Sequence, residues 1–191
     1  MRNEPPSAPD WSRRHRPRVD YFPARPKTGP APSIVDVSRI AEMRGITRTP
    51  DEGWRIGGAT TWTDLIRADL PPAFDGRKDA AREVGSLQIQ NAGTLAGNLC
   101  NASPAADGVP CLLALGASVE LTCADGVRVV PLSSFLIGVR QTSLRTGEVM
   151  SAILIPPQSD RALGGFEKLG SRRYLVISIT MVGAVVELDQ D

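Results

Sequence analysis

The sequence is poor in aromatics, cysteine and histidine, and it carries almost no net charge. Only 5% of its 191 residues are Phe, Trp or Tyr against 41% hydrophobic overall, so its core must be built mainly from Leu, Ile, Val and Ala. The sole histidine is His15, which leaves no histidine for a triad or for acid–base relays elsewhere. The three cysteines, Cys100, Cys111 and Cys123, form no CxxC pair. An odd, unpaired set argues against a disulfide framework, a zinc site or an iron–sulfur cluster and predicts small core residues in a reducing compartment. Twenty-two basic residues balance 21 acidic ones, a net charge of +1, and give no electrostatic reason to expect nucleic acid or an anionic membrane as partner. The longest apolar run, Leu175 to Leu188, is broken by Ser178 and Thr180 and is too short to span a bilayer. No apolar segment of signal-peptide type follows the basic N-terminus, so the cytoplasm is the expected compartment.

What is present divides unevenly. Eight of the 16 prolines lie in the first 32 residues, beside Arg13, Arg14, Arg16 and Arg18. Proline fixes φ and lacks an N–H, and few apolar groups offset the entropy of ordering, so residues 1–18 read as a loosely attached tail. Globular signals begin near Ile34. Ile34, Val35 and Val37 suggest a short strand, Ser38 to Arg44 a short helix or turn, and Trp54 to Gly58 another strand. Thr61 stands three residues before Asp64, a capping-box start for a helix over Trp62 to Ala68, which Pro71 and Pro72 stop. Lys78 to Val84 reads as a second helix closed by Gly85, and Pro110 to Leu115 as one or two helical turns ended by Gly116. Val119, Leu121 and Cys123 alternate with Glu120 and Thr122, and the turn Ala124-Asp125-Gly126 leads into Val127 to Leu132, which predicts a hairpin. Val149 to Ile155, Gly165 to Leu169 and Leu175 to Leu188 are further strand candidates. The expected fold is α+β with an antiparallel sheet to about Ile155, and residues from about Arg161 begin something else.

Gln90 to Asp107 stands apart: it is rich in Gly, Asn, Ser and Ala and has no clear period. Small residues let a backbone approach a ligand closely, and successive N–H groups around Thr94, Gly97 and Asn98 can converge on a phosphate or pyrophosphate. A tight turn with no ligand is the better reading of those residues alone. On local sequence Asp107 is as good a helix cap before Pro110 as a ligand, and the plain alternative for Lys168 is a solvated surface lysine.

The whole string GTLAGNLCNASPAAD, Gly93 to Asp107, resembles the second flavin-binding motif of the xanthine dehydrogenase and carbon monoxide dehydrogenase flavoprotein family. Ile34 to Ile46, Arg55 to Ile66 and Phe166 to Arg173 resemble further blocks of that family in the right order. The resemblance implies a two-subdomain FAD-binding domain of the molybdopterin dehydrogenase (PCMH-like) type with an antiparallel sheet, plus the start of a small C-terminal α+β domain. It implies a remnant of the first subdomain over 19–53, the second subdomain over 54–160, and the incomplete C-terminal domain over 161–191. Thr94, Leu95, Ala96, Gly97 and Asn98 would wrap the cofactor, Asp107 would accept hydrogen bonds from it, Met150 would lie beside the isoalloxazine ring, and Lys168 would stabilise charge on the reduced ring. The implied role is an electron-transfer subunit, with molybdopterin on a large partner subunit and a 2Fe–2S cluster on a small one, and NAD, oxygen or another acceptor downstream. The family's first loop, A-G-G-T-D, is not matched: Pro17 and Arg18 stand where two glycines are expected, just before Asp20 to Arg25. Proline removes a donor and both side chains crowd the phosphate path. A second reading therefore stays open, an assembly module that keeps the fold and not the cofactor.

Overall fold

A computed structural model describes residues 35–172 and 175–187. The proline-rich tail, His15, Pro17, Arg18, Asp20 to Arg25, Ile34, Arg173 and Leu188 lie outside them. A 3₁₀ turn, Ala41–Met43, leads into β1 (Ile46–Arg48) and β2 (Trp54–Gly57). Four short helices follow: α1 (Trp62–Arg67), α2 (Asp75–Glu83), α3 (Leu87–Ala92) and α4 (Leu95–Asn101). Then come α5 (Gly108–Ala114), β3 (Ser118–Cys123), β4 (Gly126–Pro131), α6 (Leu132–Phe135), β5 (Leu136–Gly138), β6 (Gln141–Thr142), β7 (Val149–Ile155), β8 (Ala162–Leu169) and β9 (Thr180–Glu187).

Five strands form one antiparallel sheet in the order β1-β2-β7-β3-β4. Alternation decides which face each strand buries: Val119 and Leu121 of β3 and Ile153 and Ile155 of β7 are buried, while Glu120 and Thr122 between them are only half-buried. The buried face meets Trp62, Leu65, Phe74, Leu95, Leu99, Leu112 and Leu115 of the helical layer, an aliphatic core with a few aromatic rings set in it. The predicted β3–β4 hairpin forms with Ala124 and Asp125 as its two turn residues between the paired Cys123 and Gly126. The capping box also forms: Thr61 Oγ1 accepts the Asp64 N–H at 3.1 Å, and Asp64 Oδ2 accepts the Thr61 N–H at 3.1 Å. Among the described residues no helix is long and apolar enough to cross a membrane.

Strands β8 and β9 make a separate hairpin. Its inner face lies on α2 and α5 at backbone distance, because glycines meet there. A Cβ at Gly76 would strike the Gly165 backbone, and one at Gly183 would stand 2.6 Å from the Cys111 nitrogen. Its outer face carries Leu163, Leu169, Val182 and Val186 in solvent, with Leu175, Ile177 and Ile179 exposed just before it. Of the strand candidate from Leu175, only Thr180–Glu187 is a strand among the described residues.

Three other expectations are corrected. Val35 to Val37 is not a strand: Val35 is exposed, and Asp36 turns the chain by accepting the Ser38 N–H at 2.9 Å. Gln90 to Asp107 is largely helical, since Ser86 and Thr94 cap α3 and α4 and the buried Leu95, Ala96 and Leu99 give α4 an apolar face. Of the cysteines, all free, Cys111 is buried and Cys100 packs on the core, whereas Cys123 is half-buried at the end of β3.

Candidate functional site

The segment from Thr94 to Asn98 is the first turn of α4, and the sequence explains its position. Thr61 and Thr94 face each other in an isolated antiparallel bridge, with the Leu95 N–H donating to Thr60 O and the Trp62 N–H to Gly93 O, both at 3.2 Å. The starts of α1 and α4 therefore lie side by side. Thr94 Oγ1 accepts the Gly97 N–H at 3.0 Å, and Thr94 O accepts the Asn98 N–H at 3.1 Å. The amides of Leu95, Gly97 and Asn98 are thus already bonded inside the protein. Leu95, Ala96 and Gly97 are buried. A ligand at this turn meets side chains and the remaining amides rather than a fully open backbone cradle.

Asn98 reaches from α4 toward the start of α5. Its Oδ1 is buried and has no hydrogen-bond partner among the described residues. A Cβ at Gly108 would stand 2.8 Å from that oxygen, so the missing side chain lets α4 and α5 close together. Asp107, one residue earlier, occupies the N-cap position of α5, but its side chain makes no capping bond. Instead Asp107 Oδ2 holds Lys168 Nζ at 2.8 Å, and the Ser178 hydroxyl donates to Oδ1. The side chains of Lys168 and Asp107 are only 7% and 10% exposed, which rules out a solvated surface lysine. Gly108, at the start of α5, thus meets Asn98 of α4, while Asp107 beside it in sequence is paired with Lys168 of β8.

Met150 sits on β7, buried in the core, with α4 packed against the same strand. A Cβ at Gly58 would collide with the Met150 carbonyl, so the backbones of the two segments touch. A cleft of about 520 Å³ opens between α2 and β8, and Lys168, Phe166, Arg82 and Arg172 are among its walls. A second cleft of about 550 Å³ lies between α1 and the β1–β2 hairpin, lined by Arg44, Trp54, Asp64 and Arg67.

Two features escaped sequence reasoning. Ser178 was legible only as part of an apolar run. Arg77 of α2 is 1% exposed, and its guanidinium lies over the Trp62 ring with Cζ 4.7 Å from the centroid. An arginine in an amphipathic segment is ordinarily assigned to the solvent face, so no local signal marks it.

An antiparallel sheet backed by short capped helices defines an α+β domain. The chain belongs to the family described as the FAD binding domain in molybdopterin dehydrogenase, whose profile matches residues 25–158. It is 36% identical over 161 residues to the xanthine dehydrogenase FAD-binding subunit of Escherichia coli O157:H7, which covers 82% of this chain and 54% of that one. It is 32% identical over 164 residues to the nicotinate dehydrogenase FAD-subunit of Eubacterium barkeri, again covering 82% and 54%. The reconstituted CO dehydrogenase from Oligotropha carboxidovorans superposes with a TM-score of 0.79 at 26% identity, covering 90% of this chain and 60% of that one. The chain thus spans about half the length of the curated relatives it matches.

Proposed function

We propose that this chain is the FAD-binding, electron-transferring part of a molybdenum-containing hydroxylase or dehydrogenase. The observation that carries the reading is the motif Gly93 to Asp107 folded so that Asn98 offers a buried, unpartnered acceptor beside the Asp107–Lys168 pair. The residues fit an FAD on physical grounds. An orphaned acceptor suits a hydroxyl-rich ligand, and an ammonium with three donors, one of them spent on Asp107, suits an anionic one.

Thr94, Leu95, Ala96, Gly97 and Asn98 hold the nucleotide at the start of α4, Asp107 fixes Lys168, Met150 backs the site from β7, and Lys168 is the cation nearest the ring. When bound, the flavin supplies reversible storage of electrons at a potential that nearby charge tunes. Lys168 favours the reduced, anionic ring, and its pairing with Asp107 keeps it in one place. The division into subdomains over 19–53 and 54–160 and a C-terminal domain from 161 goes with this reading. So do a molybdopterin-binding large subunit, a 2Fe–2S small subunit, an acceptor such as NAD, and a cytoplasmic setting.

Relatives that are FAD subunits, medium chains and complex subunits support the assembly. Purified protein tests the flavin site directly. Visible flavin absorbance, with about one flavin released per chain on acid treatment, is expected. Colourless protein whose addition leaves FAD fluorescence unchanged overturns the proposal and returns the chain to a fold-only role.

A further inference from the structure

The least expected group in the molecule is Arg77. Its Nε, Nη1 and Nη2 are all buried, and among the described residues none has a hydrogen-bond partner. A buried charge of this kind is costly unless something compensates it, and an apolar side chain of similar volume would pack there with less penalty. The cation–π contact with Trp62 offsets only part of that. Burial lowers the guanidinium's pKa to about 10, which leaves it charged at neutral pH. An ionised Cys111 would oppose that charge, but burial raises its pKa and its thiol donates to Gly76 O at 3.3 Å, so it stays a neutral thiol.

The position of the charge gives it a purpose. The site a Cβ would take on Gly108 is 2.9 Å from Arg77 Nη1 and 2.8 Å from Asn98 Oδ1. An unpartnered donor and an unpartnered acceptor thus both crowd the same glycine, and the acceptor belongs to the Thr94–Asn98 turn. Trp62, which holds the guanidinium, is the first residue of α1 and is bonded through its N–H to Gly93. Trp62 and Asn98, the one under the guanidinium and the other across Gly108 from it, therefore both connect Arg77 to that turn.

We infer that Arg77 is a positioning residue for the flavin site: from beneath, it orients the Asn98 side chain and sets a fixed positive charge behind the turn that receives the dinucleotide's phosphates. This rests on the FAD-binding reading above. The charge weakens the empty protein and strengthens the complex, because an anion arriving at the turn is attracted through a medium less screening than water.

The test compares the full chain with Arg77→Met and Arg77→Lys, using thermal denaturation without ligand and fluorescence titration with FAD and, separately, with riboflavin, which lacks phosphate. Arg77→Met is expected to raise the ligand-free Tm and to weaken FAD about tenfold, which is about 1.4 kcal/mol, while riboflavin affinity changes less than about twofold. Arg77→Lys should keep FAD affinity within about threefold of the parent. If Arg77→Met lowers the Tm and leaves FAD affinity intact, the arginine is merely structural and the inference is wrong. Equal losses for FAD and riboflavin would also overturn it, since phosphate charge would not be what Arg77 senses. Should Arg77→Met not fold, Arg77→Gln is read by the same ratio of FAD to riboflavin. A parent chain that binds neither flavin refutes the function itself, a result distinct from a parent that binds FAD and a variant that binds it equally well.

Discussion

Lys168 and Asp107 are 61 positions apart, and their side chains meet at 2.8 Å in a nearly dry contact. The lysine stands on β8, the carboxylate opens α5, and Ser178 closes the second carboxylate oxygen from the segment before β9. One aspartate therefore ties both sides of the C-terminal hairpin to the helical layer. Breaking a buried pair by removing one partner leaves the other charge uncompensated. Asp107→Asn should accordingly lower stability by about 3 kcal/mol. Asp107→Asn combined with Lys168→Met should recover most of that loss, because the double variant leaves no orphan charge. Urea denaturation of the two single variants and the double variant measures the coupling. Strictly additive losses would mean that the ion pair contributes nothing as a pair.

Lys168 also makes a prediction that stability alone does not. In flavin-loaded protein, Lys168→Met should move the flavin potential to more negative values, and Lys168→Arg should keep it close to the parent. A tenfold change in a two-electron equilibrium corresponds to ~30 mV, the size of effect to look for by dye-coupled reduction. A purely structural lysine would change the melting temperature in both variants and leave the potential where it was.

The hairpin's attachment can be tested at Gly76. Helix propensity favours Gly76→Ala within α2 by about 1 kcal/mol. The new methyl, however, would meet the Gly165 backbone, which cannot move aside as a flexible side chain can. Overpacking of this kind costs about 1–3 kcal/mol, so the net change should be destabilising, opposite to what propensity predicts. Hydrogen exchange should show the loss in β8 and β9, with β3 and β7 still protected. A more stable Gly76→Ala protein would show that the hairpin is not keyed to α2 through this glycine.

Much of the framework is legible locally. Thr61 with Asp64, the alternation from Val119 to Cys123, the Ala124-Asp125 turn and the apolar run from Val149 each specify an element through nearest neighbours. The helices α3 and α4 are not legible in the same way, because six and seven residues hold too few turns for a period to emerge. Their capping residues, Ser86 and Thr94, were the available signal. Nor does the sequence tell that Asp107 and Lys168, singled out separately, are partners, since pairing across 61 positions is decided by topology. Arg77 is the extreme case: its burial follows from how α1, α2 and α5 pack, and its composition pointed to solvent.

Acid should act on this protein in part through Glu148. Arg128 Nε donates to its Oε1 at 2.5 Å and Nη2 to its Oε2 at 2.8 Å, while the Arg145 N–H adds a bond at 2.7 Å. The Arg128 hydrogen bonds, partly opposed by burial, hold the Glu148 carboxyl below the usual glutamate range. In the unfolded chain that group titrates near its reference value of about 4.3. A carboxyl whose folded pKa is depressed contributes stability that is fully present above the unfolded value and is lost as pH falls through the folded one. Glu148→Gln should therefore cost about 2 kcal/mol at pH 7, the scale of a charged hydrogen bond. The gap between parent and variant should hold down to about pH 5 and close in stronger acid. Glu120 is also held low, where bonds from Arg55 and Ser151 outweigh the opposing effect of burial, but it titrates in both proteins and cancels from the difference. Denaturant midpoints of the two proteins across that range supply the measurement. A gap that stays constant into strong acid would show that the Glu148–Arg128 pair does not set the acid limb.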